Sequence, residues 1–95
     1  MPHFILTCRD KADALDLRLA TRPAHAAYIA ERLDIVKLAG PLLDEAGQMI
    51  GSLIIFEVED RAQVQAFADN DPYTKAGVFE TVRIDGYTVV RGALA

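Results

Sequence analysis

One histidine and one aspartate in this chain are placed to share a proton. His25 follows Arg22-Pro23, and Asp71 lies in the stretch Asn70-Asp71-Pro72-Tyr73-Thr74-Lys75-Ala76-Gly77. A carboxylate beside an imidazole fixes the ring's tautomer and stabilises its protonated form, so the ring can serve as a general acid or base. Arg22, one turn before His25, offers a corner for an anion at a helix start. Tyr73 offers a ring to stack on a ligand and Ser52 a hydroxyl to orient a substrate oxygen. Ser52 sits in Ile50-Gly51-Ser52-Leu53-Ile54, which lacks the elbow that exposes a serine nucleophile. Each residue also has a plainer reading. His25 would bridge two helices, Asp71 would stop one, and Tyr73 would be a packing lid. His3 reads as the start of a strand and Cys8 as a small buried hydrophobe. No metal-ligand spacing joins them, so neither a metal nor a cofactor is expected.

The elements that must position these residues follow from the apolar pattern. A β-rich run covers 3–8, and a polar, Asp-rich segment with partial helical character continues to about Thr21. Arg22-Pro23 opens a helix whose stripe is Ala26, Ile29, Ala30 and Leu33, since proline suits a first helical turn. A second strand runs from Ile35 to Leu43, with Pro41 marking an edge or a bulge. A hairpin turn over 44–48 uses Gly47 at positive φ. The third strand, 50–59, is the most apolar. Asp60 caps a second helix, with Gln63 completing a capping box. Val64, Phe67 and Ala68 form its inner face, and it ends at Asn70-Asp71 because Pro72 follows. The last strand spans 78–91, and its change of apolar parity predicts a bulge at Asp85-Gly86.

That order is β-α-β-β-α-β, an α+β, ferredoxin-like arrangement: a four-stranded antiparallel sheet with two helices on one face. The helices run antiparallel, so the start of the first and the end of the second share one end of the molecule. His25 is thereby brought toward Asp71, and Thr7-Cys8-Arg9 and Gly51-Ser52 reach the same rim. Ile54, Phe56 and Val58 point to one face of the sheet and Leu53 and Ile55 to the other. Strands apolar on both faces are buried on both. The helix-free face therefore calls for a second copy of the chain, a homodimer with two sheets packed together.

Composition bounds the possibilities. With 95 residues the chain is one domain, 1–95, of a size that hides only about 60–65% of its unfolded surface. A hydrophobic fraction of 52% is large for that size and again favours an oligomer. A net charge of −4 with no basic stripe argues against nucleic acid. No signal peptide and no apolar run of bilayer length are read, so a cytoplasmic protein without membrane contact is expected.

Four pieces of the sequence, Arg18 to His25 (R-L-A-T-R-P-A-H), 39–42 (A-G-P-L), 51–52 (G-S) and 71–79 (D-P-Y-x-x-A-G-V-F), together resemble the YCII family, the YciI-like proteins. The resemblance spans nearly the whole chain in the right order. It implies the dimeric α+β barrel form of the ferredoxin-like fold and an active site centred on a His-Asp pair, here His25 and Asp71. It also implies a place for Ser52 in the same cleft. Some relatives are implicated in lyase or dehydrochlorinase steps on chlorinated hydroxyaromatics, and the barrel is similar to that of muconolactone isomerases. The short hairpin here departs from relatives with longer ones.

The expectation is a small, cofactor-independent enzyme that transfers a proton in an isomerisation or elimination on a small organic acid or hydroxyaromatic. His25 is its acid/base, Asp71 the orienter, and Arg22, Ser52 and Tyr73 face the substrate. The alternative is a non-catalytic module that binds a small ligand or a partner protein in the same cleft.

Overall fold

A computed structural model describes residues 1–94. Its elements are β1 (His3–Asp10), α1 (Leu15–Ala30), β2 (Val36–Leu43), β3 (Met49–Glu57), α2 (Arg61–Asn70), α3 (Pro72–Ala76) and β4 (Phe79–Tyr87). The strands form one antiparallel sheet in the order β2-β3-β1-β4. This is the ferredoxin-like α+β arrangement that the element order implies. Leu6, Cys8, Ile54 and Phe56 share one face with Val64 and Phe67 of α2 and make the main core. The register pairs Leu6 with Ile54 and Phe4 with Phe56, so the parity of β3 is as its alternation predicts. Pro41 lies on the edge strand, where its missing N–H disrupts no second ladder.

The local signals at α2 and the hairpin act as written. Asp60 accepts from the Gln63 backbone while the Gln63 side chain accepts from the backbone of Asp60, a complete capping box. Gly47 takes φ 82 in the turn that Asp44 ties together.

Three expectations need correction. First, α1 begins at Leu15, a full two turns before Arg22, and Pro23 lies inside it. An interior proline forfeits one helical hydrogen bond and costs about 3 kcal/mol. The helix runs through it because side chains on both sides of the proline are tied down elsewhere: Arg18 to Asp10, and His25 to Asp71.

Second, the Asp-Pro turn is itself helical. Asp71 ends α2 and caps α3, Pro72 occupies its first turn, and Gly77 closes it in the left-handed region at φ 82. Third, β4 stops at Tyr87, and its irregularity is not at Asp85-Gly86. Those residues pair regularly with Ile5 and Phe4, while the register slips where Arg9 faces Thr81 and Asp10 faces Phe79, leaving Glu80 as the extra residue. The parity change in the sequence reflects the end of the strand: Tyr87 is its last residue, and Val89 lies beyond it.

Candidate functional site

Arg18, Arg22 and His25 stand at positions i, i+4 and i+7 of α1 and so share one face. That face looks across to α3 at one end and over β2 and β3 along its length. A cleft of about 280 Å³ lies between, walled by these three residues and Tyr73 and, from the sheet, by Pro41 and Ser52 among others.

At the α3 end, His25 Nδ1 and Asp71 Oδ1 are 2.9 Å apart. The same oxygen accepts the backbone N–H of Tyr73 at 2.9 Å, the capping bond of α3. One carboxylate atom thus fixes both the ring and the turn that carries it. Asp71 is buried with 2% of its side chain exposed, against 16% for His25. With Nδ1 engaged by a carboxylate it carries the proton in the neutral ring, which leaves Nε2 as an acceptor. The His25 ring also stacks on Tyr73, with centroids 4.2 Å apart and planes 24° from parallel.

Arg18 is the residue that sequence reasoning missed. Its guanidinium forks onto Asp10, Nε–Oδ2 at 2.7 Å and Nη2–Oδ1 at 2.9 Å, and Nη2 also donates to Ser52 Oγ at 2.8 Å. The group lies 4.4 Å from the centre of the Tyr73 ring. Arg18 and His25, two turns apart, therefore both pack on that ring. Burial disfavours the charge on Arg18, but the hydrogen bonds and the negative charge of Asp10 more than offset it, so the pKa is raised. Burial likewise raises the pKa of the Tyr73 phenol, with Arg18 and Arg22 opposing, and Tyr73 faces the cleft as a neutral O–H. The signal for Arg18 was its spacing from His25, and it was hidden by starting the helix at Arg22. Asp10 was missed because β1 runs two residues past Cys8.

The other expected residues are placed as follows. Ser52 is buried on the helix side of the sheet and reaches the cleft. Arg22 is exposed at the cleft and makes no ion pair among the described residues. Tyr73 is both wall and packing partner. Cys8 is buried in the core, where desolvation, reinforced by Asp71 and opposed by Arg18, pushes its thiol up to about 12. His3 lies away from the cleft and pairs with Glu57 at 3.1 Å. Among the described residues, no cluster of three or more His, Cys, Asp or Glu side chains is placed to hold a metal ion. No described helix is long and apolar enough to cross a membrane.

Comparison with known proteins gives one family. The YCII-related domain model matches residues 2–86. Protein YciI of Escherichia coli is 39% identical over 95 residues, covering 92% of this chain and 97% of that protein. An uncharacterized protein of Haemophilus influenzae is 29% identical over 97 residues, covering 93% and 98%. Among solved structures, 5-chloro-2-hydroxyhydroquinone dehydrochlorinase (TftG) from Burkholderia phenoliruptrix AC1100, in complex with 2,5-dihydroxybenzoquinone, superposes with a TM-score of 0.83 at 30% identity, covering 90% of this chain and 93% of that one. An antibiotic biosynthesis monooxygenase matches at a TM-score of 0.57 and 14% identity over 96% of this chain and 100% of its own, a likeness of fold alone.

Proposed function

The chain belongs to the YCII-related domain family, and we propose that it is a small lyase- or isomerase-type enzyme working by proton transfer through His25. The observation that carries this reading is the 2.9 Å contact between His25 Nδ1 and buried Asp71 Oδ1, beside a cleft that His25 itself lines. Nε2 takes a proton from a substrate carbon or hydroxyl. The electron pair released moves into the substrate, and a leaving group departs as an anion with its own bonding pair. In an isomerisation the same nitrogen returns the proton to another atom. Asp71 stabilises the imidazolium formed in between. No electrons are gained or lost, so the step calls for no redox partner. A small organic acid or hydroxyaromatic suits a cleft with an aromatic wall at Tyr73 and an exposed cation at Arg22. The likeness to a dehydrochlorinase at 30% identity supports the elimination variant.

The functional unit in this reading is a homodimer. The helix-free face carries Ile5, Leu53 and Ile55 at its centre, with Leu38 51% exposed beside them. Leu53→Lys would place an unpaired charge in that interface. It should yield monomer or insoluble protein, and a wild-type mass of 10.4 kDa by light scattering at micromolar concentration would refute the dimer.

Chloride release from 5-chloro-2-hydroxyhydroquinone tests the chemistry. The wild type should accelerate it, and His25→Gln should lose at least about 100-fold of that rate, the lower end of general acid–base effects. Undiminished turnover in the variant would sink the dyad. Tight binding of hydroxyquinones without turnover of any halogenated or enolisable analogue would favour a ligand-binding module instead.

A further inference from the structure

We propose that Arg18 and Ser52 together form a seat for one substrate oxygen that gains negative charge in the reaction. Accounting for hydrogen-bond donors leads there. A guanidinium has five N–H groups and no acceptor. Nε–H and one N–H of Nη2 go to Asp10, and the second N–H of Nη2 goes to Ser52 Oγ at 2.8 Å. Nη1 makes no well-formed hydrogen bond among the described residues, although the Tyr73 hydroxyl lies close enough to the guanidinium to interact with it. Only 2% of the Arg18 side chain is exposed, and the open space it borders is the cleft. Among the described residues no buried side-chain nitrogen or oxygen lacks a partner, so an unpaired Nη1 is open to the cleft, where it can donate to a ligand oxygen.

Ser52 shows the same pattern. Its oxygen accepts from Arg18, which can take nothing back, so its own proton has to find a different acceptor. None is recorded among the described residues, and Ser52 also borders the cleft. The arrangement denies Ser52 a nucleophile's role, because its oxygen faces a cation rather than a base. It leaves a hydroxyl donor polarised by the guanidinium behind it. Two donor groups tied together by a 2.8 Å hydrogen bond thus converge on one place.

The charge balance selects the ligand. Asp10, with 6% of its side chain exposed, compensates the Arg18 charge. The seat is therefore rich in donors but close to neutral, and it rewards charge that develops more than charge already present. A permanently anionic group would instead meet Arg22, the exposed cation of the same cleft. The substrate class is thus an enolisable carbonyl compound or a phenol: the oxygen in the seat becomes an enolate or phenolate as a proton leaves. Naming that oxygen's partner rests on the acid–base reading of His25; the seat itself rests on the donor count.

The test titrates 2,5-dihydroxybenzoquinone into the full chain, following its visible absorption and heat of binding. Ser52→Ala should raise Kd about tenfold, in keeping with loss of one charge-assisted hydrogen bond. The bound quinone should change to its more ionised spectrum at a lower pH than the free quinone, and Ser52→Ala should move that pH back toward the free value. Arg18→Lys keeps the charge but removes Nη1 and should weaken binding as well, with folding checked by thermal melting. Unchanged affinity and an unshifted spectrum in Ser52→Ala would overturn the seat, as would no binding to the wild type at millimolar quinone. His25→Gln separates the two ideas. It should keep the Ser52-dependent spectral shift while losing turnover; turnover that survives would refute the base but leave the seat standing on its own binding data.

Discussion

Asp71 performs two tasks with one oxygen, and substitutions can pull them apart. Asp71→Ala removes the cap of α3 and the partner of His25 together. Losing a side-chain cap costs about 1 kcal/mol. The Tyr73 N–H and the His25 Nδ1–H, both 2.9 Å from Oδ1, are then left short of an acceptor beneath a residue only 2% exposed. The first of these is the capping bond itself, so two losses on the order of 1 kcal/mol each give a total of roughly 2 kcal/mol. Asp71→Asn keeps an oxygen able to accept from both donors and forfeits only the charge, so it should cost about 1 kcal/mol or less. The catalytic prediction runs the other way. An amide cannot stabilise an imidazolium as a carboxylate does, so both variants should lose turnover by similar large factors. Urea denaturation at one fixed protein concentration, with chloride release measured on the same samples, reads both quantities. Equal stability losses from Asn and Ala would show that charge, not the shared hydrogen bonds, holds the turn. Full activity in Asp71→Asn would show that the carboxylate takes no part in proton transfer.

Other perturbations test the surrounding shell. Arg18→Met should destabilise by about 3–5 kcal/mol because it strands a buried carboxylate at Asp10, and Asp10→Asn added to it should recover part of that loss; urea midpoints that show neither effect would refute the buried pair. Cys8 should be inert to iodoacetamide in the folded protein, since its thiol is pushed up to about 12. The unfolded thiol ionises near about 8.5, so between these values the folded state holds the extra proton and stability falls as pH rises, by at most about 1.4 kcal/mol per pH unit. Cys8→Ala should flatten that slope between pH values of about 8 and 9.5, and an unaltered slope would count against the assignment. A Cβ on Gly51 would overlap the Cys8 carbonyl oxygen, whereas one on Gly40 would meet nothing within 4 Å. Gly51→Ala should therefore cost about 1–3 kcal/mol by thermal or urea unfolding and Gly40→Ala far less; equal effects would contradict the backbone contact.

What could be read from residues alone divides along the range of the interactions concerned. The capping box at Asp60, the turn at Gly47 and the alternation of Ile54 and Phe56 are local or periodic, and each acts in the fold as its pattern implies. The expected contact of His25 with Asp71 is present, but not for the expected reason, since His25 lies well inside α1 and not at a helix start. The start of α1 was not legible. Proline's preference for a first turn is a local rule, and here tertiary ties on both sides of Pro23 override it. Those same ties belong to the candidate site. Arg18 reaches back to β1 and His25 forward to the α3 cap, so α1 is held along the cleft by two of the polar groups that line it. A site built this way cannot be separated from its scaffold. Weakening the Arg18–Asp10 pair would loosen the wall that carries His25, and under the proposed function variants of Arg18 should therefore lose turnover in proportion to how far the helix ahead of Pro23 is released.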